Sequence, residues 1–430
     1  MRHMPGGLQY GTGSMVRVPP PPRVMDSQTL RLRLPCDPGV HVGQQLEQGQ
    51  TLIDPPDRRQ ACIISPMRSR VMGLLHVPDQ GYDLTLEPLS PTTSTQLKAS
   101  PPGSEKLNDW IDCLRRLGSW GVCDGQVGLL VQLEAAMLRK PRQIICVACD
   151  SFAPYPWQSS LVRSHPGDLI LGLNALRLVL GLKRADLLVG PTRSIFNTVR
   201  PKINPAIKLH RVEPKYPVAH PSVVMRQYGH ARKMLTIDGH PLEHDTILIS
   251  AWTAIRLARW LQTGELDLIQ PLFIAWPQAN ARMHACWVMP GQQVVPLHKR
   301  LDAEMRSTRS KLVYGDPLSG QLDQSTDSQG RLLLPVLRHD HLLMSLVENP
   351  VPATPQACIA CGWCTEVCPT ALQPAGLFER IAEEPDNQIT KDELLWCIDC
   401  GLCSHVCPSA IPLAQTFRKH IHEHLKVLTS

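Results

Sequence analysis

Short apolar runs of strand length dominate the chain from residue 30 to residue 89. Turn residues such as Asp37-Pro38-Gly39 separate these runs, which is typical of a small all-β unit. The Gly- and Pro-rich stretch before them predicts a flexible leader, and the Ser/Thr/Pro-rich stretch after them predicts a linker. The predicted ranges are 1–28 for the leader, 29–89 for the β unit and 90–104 for the linker.

Strand-like and helix-like patterns alternate beyond the linker. Such alternation favours an α/β layer with a parallel sheet, which we place at 105–265. A long helix is expected over 161–180 within it, and a short β-rich unit is expected over 266–338, with strands that include 293–296. Buried strands of the α/β layer are predicted at 143–148, 186–189 and 246–250.

The last segment, 339–430, is predicted to be helical around a group of cysteines. Leu413, Phe417 and Ile421 recur every four residues in its final helix. The hydrophobic pattern as a whole therefore predicts a multidomain α+β fold, with two β units, an α/β middle domain and a helical C-terminal domain.

Composition and charge narrow the possible functions. The 430-residue chain is 43% hydrophobic and 19% charged, which indicates folded cores. Its net charge is +6, but residues 351–430 hold 5 Lys/Arg against 9 Asp/Glu, so the excess of positive charge lies in the first 350 residues. Without a Lys/Arg run and with only 5% aromatic residues, nucleic-acid binding is not expected. We also expect no transmembrane helix and no signal peptide, hence a protein that stays in the cytosol.

Eight of the fifteen cysteines form a doubled motif between residues 358 and 407. Each copy reads Cys-x-x-Cys-x-x-Cys-x-x-x-Cys-Pro, the pattern in which the fourth cysteine ligates the other of two clusters. A zinc site would instead use four thiolates in two Cys-x-x-Cys pairs. The spacing therefore predicts two 4Fe–4S clusters that relay electrons. The predicted ligand sets are Cys358, Cys361, Cys364 and Cys407 for the first cluster, and Cys397, Cys400, Cys403 and Cys368 for the second.

Two further features near this chemistry have simpler interpretations. Cys146 and Cys149 form a Cys-x-x-Cys that could be a redox pair, but strand residues three apart point to opposite faces, so we predict core thiols. Trp363 and Trp396 adjoin cluster ligands and are interpreted as apolar shielding that tunes the cluster potential.

Taken together, the cysteine module, the first β unit and the α/β middle resemble the C subunit of the Rnf electron-transport complex. The resemblance covers about 30–425 and is strongest over 358–417, including the Pro-Ser-Ala-Ile-Pro-Leu that follows Cys407. It implies a biotinyl-lipoyl-like barrel-sandwich at 29–89 and a Rossmann-like domain, akin to the complex I flavoprotein, at 105–265. It also implies a β-grasp unit (soluble-ligand-binding type) at 266–338 and a ferredoxin-type domain at 339–430.

The flavin and NADH motifs of that family are altered here. Val122-Cys123-Asp124 stands where the family has a glycine-rich phosphate loop, and Asp124 would repel a phosphate. The family's acidic loop is replaced by the sequence at 147–155, and its Gly-Gly-Glu-Lys by Val218-Ala219-His220-Pro221. We therefore predict that this chain alone does not oxidise NADH and that its binding of FMN and NADH is doubtful. The alternative is that another loop, 210–216, carries the flavin.

The leading hypothesis is a peripheral electron-transfer subunit on the cytoplasmic side of the inner membrane, with no catalytic residues of its own. The resemblance implies two kinds of partner, which are the membrane subunits of an Rnf-like complex and a ferredoxin or another cluster-bearing subunit. Two alternatives stay open. One is an active FMN-dependent NADH dehydrogenase subunit, and the other is an assembly scaffold whose clusters are structural.

Overall fold

The computed structural model has a mixed α/β architecture with seven sheets among the residues that it describes. The described residues are 7–10, 13–26, 28–78, 81–103, 106–117, 128–229, 245–276, 283–289, 291–292, 310–322, 343–348, 354–385 and 387–429.

Antiparallel strands build the N-terminal part, as the short apolar runs predicted. Its main sheet has the order β3-β8-β7-β4, with Leu30, Leu32 and Leu34 of β3 buried because alternate residues of a strand face the core. On the other face Arg31 pairs with the buried Asp83 at 3.0 Å. The strands are β1 (Leu8–Gln9), β2 (Val24–Asp26), β3 (Leu30–Leu34), β4 (Gln45–Leu46), β5 (Thr51–Ile53), β6 (Ile63–Ile64), β7 (Ser69–Val77), β8 (Gly81–Pro88), β9 (Thr92–Ser94) and β10 (Gln96–Lys98).

The segments predicted as leader and linker are structured where they are described, so that prediction is wrong for 7–26 and for 92–98. Strand β2 of the leader pairs with β9 of the linker. Leader strand β1 pairs with Lys215–Tyr216, and β10 pairs with Glu265–Asp267. The composition of these segments indicated flexibility. Their backbone N–H and C=O groups are instead hydrogen-bonded to distant strands, so tertiary contacts override the local signal.

A four-stranded parallel sheet forms the α/β layer, and the three strands predicted from the sequence are confirmed. Its order is β13-β12-β11-β15, which places the topological switch point between β11 and β15. The helix expected over 161–180 is two helices, because Pro166 has no N–H and starts a new helix after His165. The elements are α1 (Leu107–Arg116), α2 (Leu129–Leu138), β11 (Gln143–Ala148), α3 (Trp157–Ser164), α4 (Pro166–Val179), β12 (Ala185–Val189), α5 (Arg193–Val199), a 3-10 turn (Arg200–Lys202), β13 (Ile207–Arg211), β14 (Lys215–Tyr216), α6 (Pro221–Tyr228), β15 (Thr246–Ser250) and α7 (Ala251–Thr263).

A second β region follows, in which a five-stranded sheet has the order β18-β17-β21-β19-β20. The strand predicted at 293–296 lies outside the described residues. Whether this region is a β-grasp unit stays a prediction, as do the other domain boundaries. Its strands are β16 (Glu265–Asp267), β17 (Gln270–Ala275), β18 (Met283–Val288), β19 (Ser310–Tyr314), β20 (Gln321–Leu322) and β21 (Leu343–Glu348).

The C-terminal region is helical, as predicted, and packs around Leu377, Ile381 and Phe417. No helix in the described part of the chain is long and apolar enough to cross a bilayer. The helices are Trp363–Glu366, Pro374–Glu383, Gln388–Leu394, Leu402–His405 and Leu413–Thr429.

Candidate functional site

The two cysteine motifs follow the same backbone path. In each motif a residue before the second cysteine, the glycine after it and an alanine after the fourth cysteine take left-handed conformations. Left-handed residues between right-handed ones turn successive N–H groups into a concave anion-binding nest, which suits the sulfides and thiolates of an iron–sulfur cluster. The matched pairs are Ala360 and Asp399 (φ 53° and 51°), Gly362 and Gly401 (φ 79° and 77°), and Ala371 and Ala410 (φ 59° and 52°).

A cavity of about 310 Å³ lies at the first motif. Cys358, Cys361 and Cys364 line it together with Cys407, which belongs to the second motif. Most of the remaining wall is apolar, including Ile411 and other residues of the helical core. The thiols of the predicted first set therefore converge on one cavity, although Cys407 is far from the others in sequence.

The thiols of the second motif lie near cysteines of the first, since Cys368 and Cys364 both act on the Cys403 thiol. Burial, together with the charge of nearby Cys368, raises the pKa of the Cys400 and Cys403 thiols to about 12. Burial likewise raises the pKa of Cys397, where Cys400 and Cys403 add to the rise. Cys368, from the first motif, thus lies beside thiols of the second. Without metal the thiols of Cys397, Cys400 and Cys403 stay protonated. Iron would displace these protons because it binds the thiolate form.

Hydrogen bonds and packing prepare these sulfurs for a cluster. The Ala360 amide donates to the Cys358 Sγ at 3.5 Å, and the Leu372 amide donates to the Cys368 Sγ at 3.3 Å. Four of the eight cysteines also contact the apolar core built on Leu377 and Phe417. Such N–H···S contacts and an apolar shell are the features by which proteins tune cluster potentials. The residues present therefore suit iron–sulfur clusters.

The second motif is fastened to the α/β layer. The Tyr216 hydroxyl, almost completely buried, donates to the Cys400 carbonyl at 2.8 Å. Asp399, between two cysteines, makes a two-pronged ion pair with Arg418 at 2.6 and 3.1 Å. Ile398 packs into the apolar cluster on one face of the parallel sheet. The sequence had marked Tyr216 only as part of a Lys-Tyr-Pro motif shared with the resembled family, and it had not indicated Arg418 or either contact, since the contacts join segments that are distant in the chain.

The carboxyl edge of the parallel sheet, where α/β folds bind nucleotides, is occupied by the chain itself. Asp150 follows β11, and its carboxylate accepts the amides of Gln158 and Ser159 at 2.7 and 3.3 Å and the Ser159 hydroxyl at 2.5 Å. Burial raises the pKa of Asp150 to about 6, although these hydrogen bonds oppose the rise. A carboxylate thus takes the N–H groups at the start of α3 that a phosphate would need.

The N-terminal segment closes the same edge. The Gly13 amide donates to the Ala153 carbonyl at 2.9 Å, and the Val16 amide donates to the Ser160 hydroxyl at 3.1 Å. A Cβ at Gly13 would lie 1.9 Å from the Pro154 carbonyl oxygen, so the approach is close. A cavity of about 20 Å³, roughly one water in size, lies among these residues at the ends of β11, β12 and β13. The altered glycine loop at 118–127 lies outside the described residues.

Comparisons with known proteins bear on the cysteine region first. The 4Fe–4S dicluster domain family matches residues 357–411. This match supports iron–sulfur clusters in the cysteine region. Over its length the chain is similar to the C subunit of the Na(+)-translocating ferredoxin:NAD(+) oxidoreductase complex of Acetobacterium woodii, with 21% identity over 379 residues that cover 84% of this chain and 81% of the relative.

Two crystal structures of an NAD+-reducing NiFe hydrogenase also match. In the air-oxidized and H2-reduced states they give a TM-score of 0.39 each, at 14% and 12% identity, covering 71% of this chain. The chain spans 61% and 59% of those hydrogenase chains.

The structure also places the Cys-x-x-Cys of β11 and the two tryptophans beside the cluster motifs. Cys146 and Cys149 are both buried and belong to apolar clusters on opposite faces of the sheet, which confirms the core-thiol interpretation. Trp396 is half-buried against the sheet, consistent with shielding. Trp363 is 52% exposed. It lies at the start of a four-residue helix that contacts the helices Pro374–Glu383 and Leu402–His405, and its shielding role stays a prediction.

Proposed function

We propose that this chain is an electron-transfer subunit that holds two 4Fe–4S clusters through crossed ligand sets and acts as a peripheral part of an Rnf-like membrane complex. The observation that carries the proposal is the cavity shared by Cys358, Cys361, Cys364 and Cys407. A dicluster module with two neighbouring centres is suited to moving single electrons over a short distance. The similarity to a subunit of a ferredoxin:NAD(+) oxidoreductase complex supports the choice of complex.

Bound 4Fe–4S clusters supply reversible one-electron chemistry. The protein's own residues hold the thiolates, donate N–H groups to their sulfurs and exclude water. Asp399 and Arg418 keep the second motif's loop in place through their ion pair, and Tyr216 ties the same loop to the α/β layer. Because these contacts hold the loop rigidly, the protein around the cluster moves little when an electron arrives or leaves, and fast electron transfer needs such small rearrangements.

The alternative of an active NADH dehydrogenase has less support. It would need the carboxyl edge of the sheet to admit a flavin, but Asp150 and the segment around Gly13 fill that edge. A scaffold with structural clusters would need the same cysteine ligands and differs only in redox behaviour.

One experiment separates the three functions. Protein purified without oxygen is expected to contain about eight iron and about eight acid-labile sulfide per chain, and an electrochemical titration followed by electron paramagnetic resonance should show two reversible one-electron centres. Clusters that do not cycle would favour the scaffold. Stoichiometric FMN in the purified protein would favour the dehydrogenase.

A further inference from the structure

The two halves of the cysteine repeat share a backbone path but differ in what covers them. Ile398 and Leu402 in the second half are 6% and 0% exposed. Ile359 and Trp363, at the matching positions of the first half, are 66% and 52% exposed. Because the local conformations match, the difference in exposure comes from the surroundings and not from the motif.

The protein's own α/β layer covers the second half. Ile398 packs in an apolar cluster with Ile145 and Val147 of β11. Leu402 packs with Tyr216, and Leu318 lies against the same cluster. At these positions the repeat therefore presents an apolar surface that another structural unit buries.

The matched glycines show the same contrast. A Cβ at Gly401 would lie 2.2 Å from the Leu318 carbonyl oxygen, whereas a Cβ at Gly362 would meet nothing within 4 Å. The backbone of the first motif is thus open to close approach at the point where the second motif is already in contact. We call Ile359, Gly362 and Trp363 the first-motif face.

Charge around the first-motif face has one sign. Glu366 is exposed on the same short helix as Trp363, and the exposed Glu379 lines the cavity together with Cys358. The nearby cation Arg380 is already paired with Glu393. A partner surface that complements this region would therefore be apolar at its centre and basic at its rim.

We propose that the first-motif face is the docking surface for a separate one-electron carrier protein with a basic rim. The inference rests on the proposed function and adds its partner's chemistry. Cys358 and Cys361 are exposed beside this face, so a docked carrier would contact the loop that holds the first ligand set. One electron would pass between the centre and the carrier, so that one is oxidised as the other is reduced, with no bond made or broken.

The test uses zinc-substituted cytochrome c as the probe, a basic protein in which the metal cannot exchange electrons. Its binding to the anaerobic, cluster-loaded full chain is measured by titration calorimetry. The double variant Ile359→Ser/Trp363→Ser is expected to bind about tenfold more weakly, because truncation removes the apolar centre of the interface. Ile389→Ser is the matched control, since Ile389 is 73% exposed in the same domain but does not line the cavity.

Charge variants provide a second, independent measurement. Glu366→Gln/Glu379→Gln is expected to weaken binding at low salt and to match the unmodified protein at about 0.5 M salt, where exposed charges are screened. Glu87→Gln, on an exposed position of β8, should leave binding unchanged.

The outcomes separate this inference from the function on which it rests. If the apolar double variant binds like the unmodified protein, or if Ile389→Ser weakens binding equally, the docking surface is wrong. Iron, sulfide and the redox titration are measured on the same samples. Clusters that fail to cycle while the double variant still loses binding would overturn the electron-transfer function and leave the docking surface standing.

Discussion

Two cysteines, Cys368 and Cys407, link the two cysteine motifs, because each lies near thiols of the other motif. Cys407 lines the first cavity although it belongs to the second motif, and Cys368 lies beside Cys400 and Cys403 although it belongs to the first. The sequence spacing predicts this exchange, and the cavity that Cys407 shares with the first motif supports it. The two ligand sets stay a prediction. A substitution in one motif should therefore be felt in the other.

Cys407→Ser is expected to damage the cluster held by Cys358, Cys361 and Cys364, because it removes the fourth thiolate from their cavity. Iron content should fall by up to about half, and electron paramagnetic resonance should show the loss of one centre. Cys36→Ser, at an exposed cysteine outside the motifs, is the control. Loss confined to the centre of Cys397, Cys400 and Cys403 would contradict the crossed assignment.

Tyr216→Phe should lower the free energy of unfolding by about 1 kcal/mol, because it removes the hydrogen bond from the buried Tyr216 hydroxyl to the Cys400 carbonyl. Anaerobic urea unfolding of the cluster-loaded protein measures the change. Tyr82→Phe is the matched control, since Tyr82 lies half-buried in β8, where its ring contacts His76 and the hydrophobic core. Equal effects of the two substitutions would show that the link to Cys400 does not stabilise the fold.

Among the secondary-structure elements, helix α3 shows how local geometry replaces a ligand. Its first amides are taken by Asp150 from the end of β11, so the edge of the sheet is satisfied within the chain. The break between α3 and α4 could have been expected from Pro166. The packing of the N-terminal segment against α3 could not, because its composition carries no signal for a partner so distant in sequence.

The pH dependence of stability should report on Asp150. Its folded pKa is raised from 3.8 to about 6, so the folded state holds a proton that the unfolded state has released. That contribution is present at low pH and is lost as the pH rises through about 6. From about pH 8 to about pH 5, the unmodified protein should gain about 1.4 kcal/mol relative to Asp150→Asn, measured by urea unfolding. Parallel pH profiles for the two proteins would show that Asp150 is not the responsible group.

Across the whole molecule, the α/β layer has the strand order of a nucleotide-binding fold, and Asp150 occupies the amides at the start of α3 beside the end of β11. The cluster module is meanwhile fastened to that layer through Tyr216 and Ile398. This arrangement favours a layer that supports and positions the clusters without binding a flavin of its own.

The cluster-loaded full chain is therefore expected not to oxidise NADH. Adding micromolar NADH, with and without FMN, should leave the cluster absorbance unchanged, because the edge around Asp150 and Gly13 leaves about 20 Å³. Dithionite is the positive control for bleaching. Rapid bleaching by NADH that requires FMN would show that the flavin site is functional.

The sequence by itself determined the features that depend on the intervals between residues along the chain. The cysteine intervals, with Pro369 and Pro408, predict two crossed ligand sets, and apolar periodicity located the buried strands of the sheet, since both signals are local. Tertiary structure alone decided that the N-terminal segment closes the sheet edge and that Ile398 is buried while Ile359 is exposed. The two isoleucines occupy equivalent positions in near-identical motifs, so only the unit that packs against each one can distinguish them.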